Sequence, residues 1–327
     1  MPLGARSVHW LDHVVATLSG RARVFTAGWG DERLIERLAD AARFEEPPGA
    51  ITVRWQAPRR EGKVLVADGA FDAPLTELPA PARRALVRRL TPALHPRQGR
   101  ARPLYVVLAS SGDEGWATRD RLWRPLVERE AIEVVFLENA MYGARRPEGQ
   151  RGTSIRTVSE HLLMNLSMVE EARALLDLFA REGRAQLGIA GYSMGGSMAA
   201  LVAAVTPRPL AAAIFATGSA AGPVFTEGLL ARGIDFDALG GEPGRARLAR
   251  IFGVADLALH PAPRRPEAVV MVAGRRDGYV FTEQVEALHA RWPGSELRWL
   301  DTGHVGALVL HAEALRRAAL DAMERLG

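Results

Sequence analysis

Leu187-Gly188-Ile189-Ala190-Gly191-Tyr192-Ser193-Met194-Gly195-Gly196-Ser197-Met198-Ala199-Ala200 reads as a strand, a sharp turn and a helix. The apolar run Leu187–Ala190 has the character of a buried strand, and Ala199, Ala200, Ala203 and Ala204 belong to a small-residue helix. Between them Gly191, Ser193 and Gly195 form a G-x-S-x-G pattern. A serine at the tip of so tight a turn takes a strained backbone conformation, and side chains two residues to either side would collide. The turn exposes the hydroxyl. It also aims the Met194 N–H and the positive end of the helix at any oxyanion formed beside Ser193. The competing reading is a glycine-rich helix start with Ser193 as its cap; the strand before and helix after favour a nucleophile. Tyr192, beside it, is a candidate substrate contact.

A serine alone is a poor nucleophile, so the stretch demands a base and an acid downstream, each at the carboxyl end of a strand. The apolar run Val269–Ala273 leads into Gly274-Arg275-Arg276-Asp277, and Glu296–Leu300 leads into Asp301-Thr302-Gly303-His304. The order Ser193, Asp277, His304 is the required one, and the separation of 27 positions from acid to histidine accommodates one helix and one strand. Asp277 would hold the imidazole of His304 in the right tautomer, while His304 takes the Ser193 proton and later returns it to the leaving group. Asp277 has a second reading as the cap of a helix starting near Val280. Asp301 is the rival acid, better suited to orienting the histidine loop; Asp235 and Asp237 are weaker rivals. His289 and His311 fall on helices and read as surface or core residues.

Upstream, Leu104–Ala109 is a buried strand, and Ser110-Ser111-Gly112-Asp113 follows it where a second oxyanion donor is needed. The Ser111 N–H is the choice, with Ser110 and Gly112 as alternatives. Strand Ile132–Leu137 leads to Met141-Tyr142-Gly143-Ala144-Arg145-Arg146-Pro147, a loop expected on the same sheet edge as Ser193. Arg145 or Arg146 could there hold an anionic part of a substrate, such as a phospholipid head group; the alternative is a solvated pair bridging to Glu138 or Glu148.

The rhythm of strand, loop and helix from Leu104 onward predicts one α/β domain over 1–327, a mainly parallel sheet covered by helices on both faces. Thr153–Arg181 carries Leu162, Leu166, Val169, Ala172, Leu176 and Phe179 on one helical stripe, with Glu170, Glu171 and Arg173 off it. Leu210–Ala216 is a further strand, and a closing helix spans roughly Leu308 to Leu326. Residues 222–266 lose the strand pattern and alternate helical pieces, Val224–Ala231 and Arg245–Phe252, with glycine and proline. This reads as a small helical lid-like insertion, an ordinary surface connection being the alternative. In residues 1–100, His9–Leu18 and Asp31–Phe44 read as helices. Ile51–Trp55 and Lys63–Ala67 read as strands around an exposed turn at 59–62, and Pro79–Leu94 is ambiguous between helix and edge strand.

Composition sets the outer bounds. Across 327 residues, 48% are hydrophobic and 24% charged, neither of which suggests disorder or a membrane protein. The absence of cysteine excludes disulfides, thiolate catalysis and Cys-based zinc sites. Lys63 is the only lysine among 42 basic residues, and the net charge is +4. Acidic residues are interleaved with the arginines and no nucleic-acid-binding motif accompanies them, so nucleic acid is not an expected partner. Asp12, His9 and His13 interrupt the most apolar part of residues 1–20, so no signal-peptide core is expected there and a cytoplasmic location is the default. No window has the length of a membrane span, which leaves peripheral contact open.

Several stretches together resemble the α/β-hydrolase domain-containing protein 18 family. They are Phe25-Thr26-Ala27-Gly28-Trp29-Gly30, Leu108–Asp113, Leu137-Glu138-Asn139-Ala140-Met141-Tyr142-Gly143 with Arg146-Pro147, Ser193-Met194-Gly195-Gly196, Val224-Phe225-Thr226, and Trp292-Pro293-Gly294 through His304. The resemblance implies an α/β-hydrolase fold, places Ser193, Asp277 and His304 on the family's triad, and suggests a lipid or acyl ester substrate. The expected activity is therefore a serine hydrolase acting through an acyl-enzyme, with no cofactor or metal. A non-catalytic binding protein on the same fold and an acyltransferase are the alternatives. The sequence leaves the acyl chain, the leaving group and the oligomeric state open.

Overall fold

The computed structural model describes residues 7–19, 23–38, 44–93, 102–253 and 256–327. The amino-terminal part supplies α1 (Trp10–Ser19), α2 (Glu32–Leu38), β1 (Arg54–Trp55), β2 (Arg59–Glu61), β3 (Val64–Asp72) and β4 (Arg84–Pro92). The middle supplies β5 (Leu104–Leu108), α3 (Ala117–Glu130), β6 (Glu133–Leu137), α4 (Val158–Arg181), β7 (Leu187–Tyr192), α5 (Met194–Val205) and β8 (Ala211–Phe215). There follow α6 (Gly222–Thr226), α7 (Gly241–Phe252), β9 (Val269–Gly274), α8 (Thr282–Arg291), β10 (Glu296–Leu300), α9 (His304–Leu310) and α10 (Ala312–Leu326).

The strands form one sheet in the order β1-β3-β4-β6-β5-β7-β8-β9-β10, with β2 paired to β3. From β6 to β10 neighbouring strands are parallel, while β1, β2, β3 and β4 pair antiparallel at the other end. Strands β5 to β9 are buried on both sides, so alternate residues feed two cores. Leu104, Val106 and Leu108 pack with α4 and α5, whereas Tyr105 and Val107 pack with α3 and α10. Burying a side chain of this size contributes about 1.5–3 kcal/mol, which fixes β5 as the centre of both layers.

Three expectations change. The supposed turn at 59–62 contains strand β2, because Arg59–Glu61 pair with Val64–Val66 across a tighter turn. Pro79–Leu94 resolves into a short 3-10 turn (Ala80–Arg83) and then β4, an interior strand between β3 and β6. Its charges are matched across the sheet by Arg88–Asp68 and Arg89–Glu133 pairs. The closing helix breaks at His311 into α9 and α10. The expected helix over 31–44 is present as α2, its residues 39–43 lying outside the described ones, as does Leu94.

The region 222–266 contains α6, α7 and short 3-10 turns, as its composition implied. It is anchored to the amino-terminal part. Val24 bridges Ile234, Arg247 pairs with Glu32 and lies over the Trp29 ring, and Ile234, Leu239, Leu248 and Phe252 share a cluster with Phe25, Ile35 and Val158.

Candidate active site

Ser193 stands between β7 and α5 with φ 54° and ψ −121°, a conformation costing about 1–3 kcal/mol. Its amide donates to Phe215 O at the end of β8 (2.9 Å), which ties the strained residue to the neighbouring strand. A Cβ on Gly191 would lie 2.1 Å from Gly195 O, and one on Gly195 would lie 2.6 Å from Ala109 O. The two glycines are therefore required by space, as the motif implied. Met194 opens α5, and an amide in the first turn has no partner within its own helix.

His304 opens α9 directly after β10, and Asp277 lies in the loop between β9 and α8. His304 Nε2 is 2.9 Å from Ser193 Oγ, and His304 Nδ1 is 2.7 Å from Asp277 Oδ2. With the ring proton on Nδ1, the Ser193 hydroxyl donates to Nε2 and Asp277 accepts from the other nitrogen. Asp277 Oδ1 accepts from the amides of Tyr279 (2.7 Å) and Val280 (2.9 Å), so the capping role and the histidine contact belong to the same carboxylate. Burial pushes the His304 pKa down, but the charge and hydrogen bond of Asp277, joined by the charge of Asp12, outweigh it and hold the imidazole above its ordinary 6.5.

The other acids fall elsewhere. The Asp301 side chain is 84% exposed and pairs with Arg276. Asp235 pairs with Arg23 and accepts from the Ala238 amide. Asp237 lies in the same loop, just before Ala238.

A cavity of about 130 Å³ opens at Ser193. Leu166, Val169, Met198, Val224, Phe225 and Phe252 give it apolar walls, so α4, α5 and the 222–266 region all contribute. Ser197 and Thr217, whose hydroxyls bond to one another, add polarity beside the serine. His161 and Asn165, 2.9 Å apart on α4, also line it. Burial lowers the His161 pKa to about 4, so it is neutral at pH 7.

Of the 110–113 loop, Ser111 lines the cavity, whereas Ser110 borders a smaller one with Asp113 and Arg119. The Gly112 amide points to Tyr142 Oη at 3.4 Å, and the Asp113 amide donates to Ser110 O. Arg119 braces the loop: it pairs with Asp113 at 2.9 Å and donates to Gly115 O, while Glu138 accepts from the Gly115 amide. Burial pushes the Glu138 carboxyl up to about 6.

Three candidate contacts are corrected. Tyr192 does not line the cavity; its hydroxyl donates to His304 O and its ring packs edge-on against the imidazole, so it supports the histidine from beneath. Arg145 is fully buried and paired with Glu171, and it also donates to the carbonyls of Ala82 and Glu138. It therefore cannot meet a substrate at the rim. Arg146, half-buried, pairs with Glu114 and does not line the cavity.

One residue escaped the sequence reading. Asp12 is wholly buried in α1 and accepts hydrogen bonds from His304 N, Val305 N and Gly278 N. Its only local signal is that Asp12 and Ala16 share a helix face, four residues apart.

Among the described residues no helix is long and apolar enough to cross a membrane. A mostly parallel sheet, a strained serine between strand and helix, and an acid and a histidine on the last two strand ends define an α/β-hydrolase. The chain belongs to the alpha/beta hydrolase domain containing 18 family, whose model matches residues 22–251 and 241–325. Its fold is similar to that of an acetyl xylan esterase from Paenibacillus sp. R4, with a TM-score of 0.61 and 15% identity over 93% of this chain and 98% of that one. An S-formylglutathione hydrolase from Agrobacterium tumefaciens matches with a TM-score of 0.55 and 16% identity over 84% and 100% of the two chains. TT1662 from Thermus thermophilus matches with a TM-score of 0.51 and 20% identity over 77% and 98%.

Proposed function

We propose that the chain is a serine hydrolase that cleaves a carboxylic ester or related acyl bond through an acyl-enzyme. The observation that carries this reading is the unbroken hydrogen-bond chain from Ser193 Oγ through His304 to Asp277, with contacts of 2.9 and 2.7 Å. Ser193 Oγ attacks the acyl carbonyl as its proton passes to His304 Nε2, and Asp277 stabilises the resulting imidazolium. The amides of Met194 and Ser111 receive the oxyanion. Collapse of the tetrahedral intermediate breaks the acyl bond, with His304 donating its proton to the leaving group. Water then attacks the acyl-enzyme, losing its proton to His304, and releases the acid with the serine restored.

The apolar cavity suits the hydrocarbon of an acyl group, lipid acyl chains included, because its walls replace water around it. Region 222–266 serves as the lid over that cavity, supplying Val224, Phe225 and Phe252. The test is covalent labelling with a fluorophosphonate. Wild type is expected to be labelled stoichiometrically and Ser193→Ala not at all. Equal labelling of both proteins would show the nucleophile to be another residue, and an unlabelled wild type would leave a non-catalytic binding protein in its place. Added alcohol then shows whether water or a second substrate takes the acyl group.

A further inference from the structure

The helix α1 delivers one carboxylate to both loops that carry the acid and the base. Asp12 Oδ2 accepts from His304 N at 2.8 Å and from Gly278 N at 3.0 Å, while Oδ1 accepts from Val305 N at 2.9 Å. Gly278 directly follows Asp277, and His304 is the imidazole residue itself. The side chain has no exposed surface. Both loops are shaped to admit this helix. A Cβ on Gly303 would lie 2.6 Å from Asp12 Oδ2 and from His9 Cβ, and one on Gly278 would lie 2.6 Å from Val8 Cγ1. The His9 amide adds a bond to Arg276 O at 2.9 Å, on the other side of Asp277.

From this geometry we infer that Asp12 is a positioning residue of the active site, a carboxylate clamp that sets the distance between the Asp277 loop and the His304 loop. The inference rests on the hydrolase reading and deepens it. Two oxygens hold three amides, and the amides come from the two segments whose separation determines whether His304 can span from Asp277 to Ser193. Local capping would engage only the amides of α1. Instead Asp12 bonds to residues at least 266 positions away. An asparagine of the same shape can present one oxygen only. Its amide hydrogens then face either the Gly278 and His304 amides, which releases the Gly278 loop, or the Val305 amide, which leaves the His304 loop with one bond fewer.

The clamp has an electrostatic consequence that a purely structural contact would lack. The charged and titratable groups around the imidazole are Asp277, Tyr279 and Arg276 from the β9–α8 loop, Tyr192 from β7, Asp301 from its own loop, and Asp12 and His9 from the α1 region. Asp12 adds negative charge on the side of His304 that carries its backbone amide, and this favours the imidazolium. Removing that charge must move the acid limb of kcat/KM to lower pH, because His304 then loses its proton more readily.

The experiment compares wild type with Asp12→Asn and Asp12→Ser. Three readouts are taken: the pH dependence of fluorophosphonate labelling, the kcat and KM for a short ester, and amide hydrogen exchange of the peptides around 278 and 304. Labelling and kcat are expected to fall on the order of 10- to 100-fold with KM nearly unchanged, as for a misplaced catalytic group. The acid limb should move to lower pH, and both peptides should exchange faster. Wild-type labelling rates with an unmoved limb would overturn the assignment, as would unchanged exchange at both peptides. If neither variant folds, exchange in wild type decides: the clamp requires the Gly278, His304 and Val305 amides to be as slow as the sheet core, and rapid exchange there refutes it. If wild type is not labelled, the hydrolase reading falls, and the exchange comparison alone upholds or overturns the clamp.

Discussion

Asp277 is buried with one carboxylate oxygen on His304 and the other on the amides of Tyr279 and Val280, whereas Asp301 projects into solvent beside Arg276. Asp277→Asn is accordingly expected to lower kcat on the order of 10⁴-fold, since the amide favours the wrong tautomer, while Asp301→Asn stays within about tenfold. Steady-state kinetics on one ester check the ranking, and its reversal would move the acid role to Asp301. His161 makes a separate prediction about stability. Its folded-state pKa of about 4 lies below the ordinary 6.5, so between these values the unfolded chain binds more protons. The stability this group contributes is complete above pH 6.5 and is lost as pH falls toward 4. Between pH 7 and pH 5 it amounts to about 2 kcal/mol, so His161→Gln should lose that much less in urea unfolding over the same interval. Equal losses would show that His161 is not held neutral. Ser193, Asp277 and His304 were legible because each is announced by its place at the end of an apolar run. Asp12 was not, because its partners lie beyond any local pattern.

The helix α1 shows why. Trp10, Val14 and Leu18 make an apolar stripe at helical spacing, and periodicity would turn that stripe inward. In the structure these three are exposed, and Asp12 and Ala16 face the protein. The three backbone amides waiting for Asp12 reverse the helix, and no window of sequence reveals them. The helix α4 departs from its pattern in the opposite sense. Its apolar stripe is buried from Leu166 to Phe179 and partly buried at Leu162, yet Glu170, Glu171 and Arg173, which lie off the stripe, are buried too. Glu171 meets Arg145 from the loop after β6, and Arg173 donates to the carbonyls of Phe44 and Glu46 while pairing with Glu170. Arg145→Ala would leave Glu171 charged and unpaired, at a cost of about 3–5 kcal/mol. The expected outcome is a lower Tm, with activity on neutral and anionic esters declining together. A KM raised for anionic esters alone would contradict the buried assignment. Arg146→Ala, breaking a half-exposed pair with Glu114, should change stability by no more than about 1 kcal/mol.

Across the chain, strands β5 to β9 were largely readable because mainly apolar runs of five or six residues leave few alternatives in a doubly covered sheet. The antiparallel end was harder. Charged strands such as β2 and β4 are stabilised by pairs that exist only after assembly, as Arg88 with Asp68 and Arg89 with Glu133 show. The enclosure of the cavity likewise depends on contacts between the 222–266 region and residues 24–35 that no spacing announces. The site thus draws on residue 12, the 110–113 loop, Ser193, Asp277 and His304. This dispersal bears on how the protein is made. A ribosome delivers Ser193 111 residues before His304, an interval of roughly 5–20 s at ordinary elongation rates. Throughout that interval the nascent chain carries its serine without its base, for most of it without Asp277 as well, and the Asp12 side chain waits for the His304 and Val305 amides. On the proposed reading, the half-made chain is thereby inert, and no separate inhibitor is needed to keep it so.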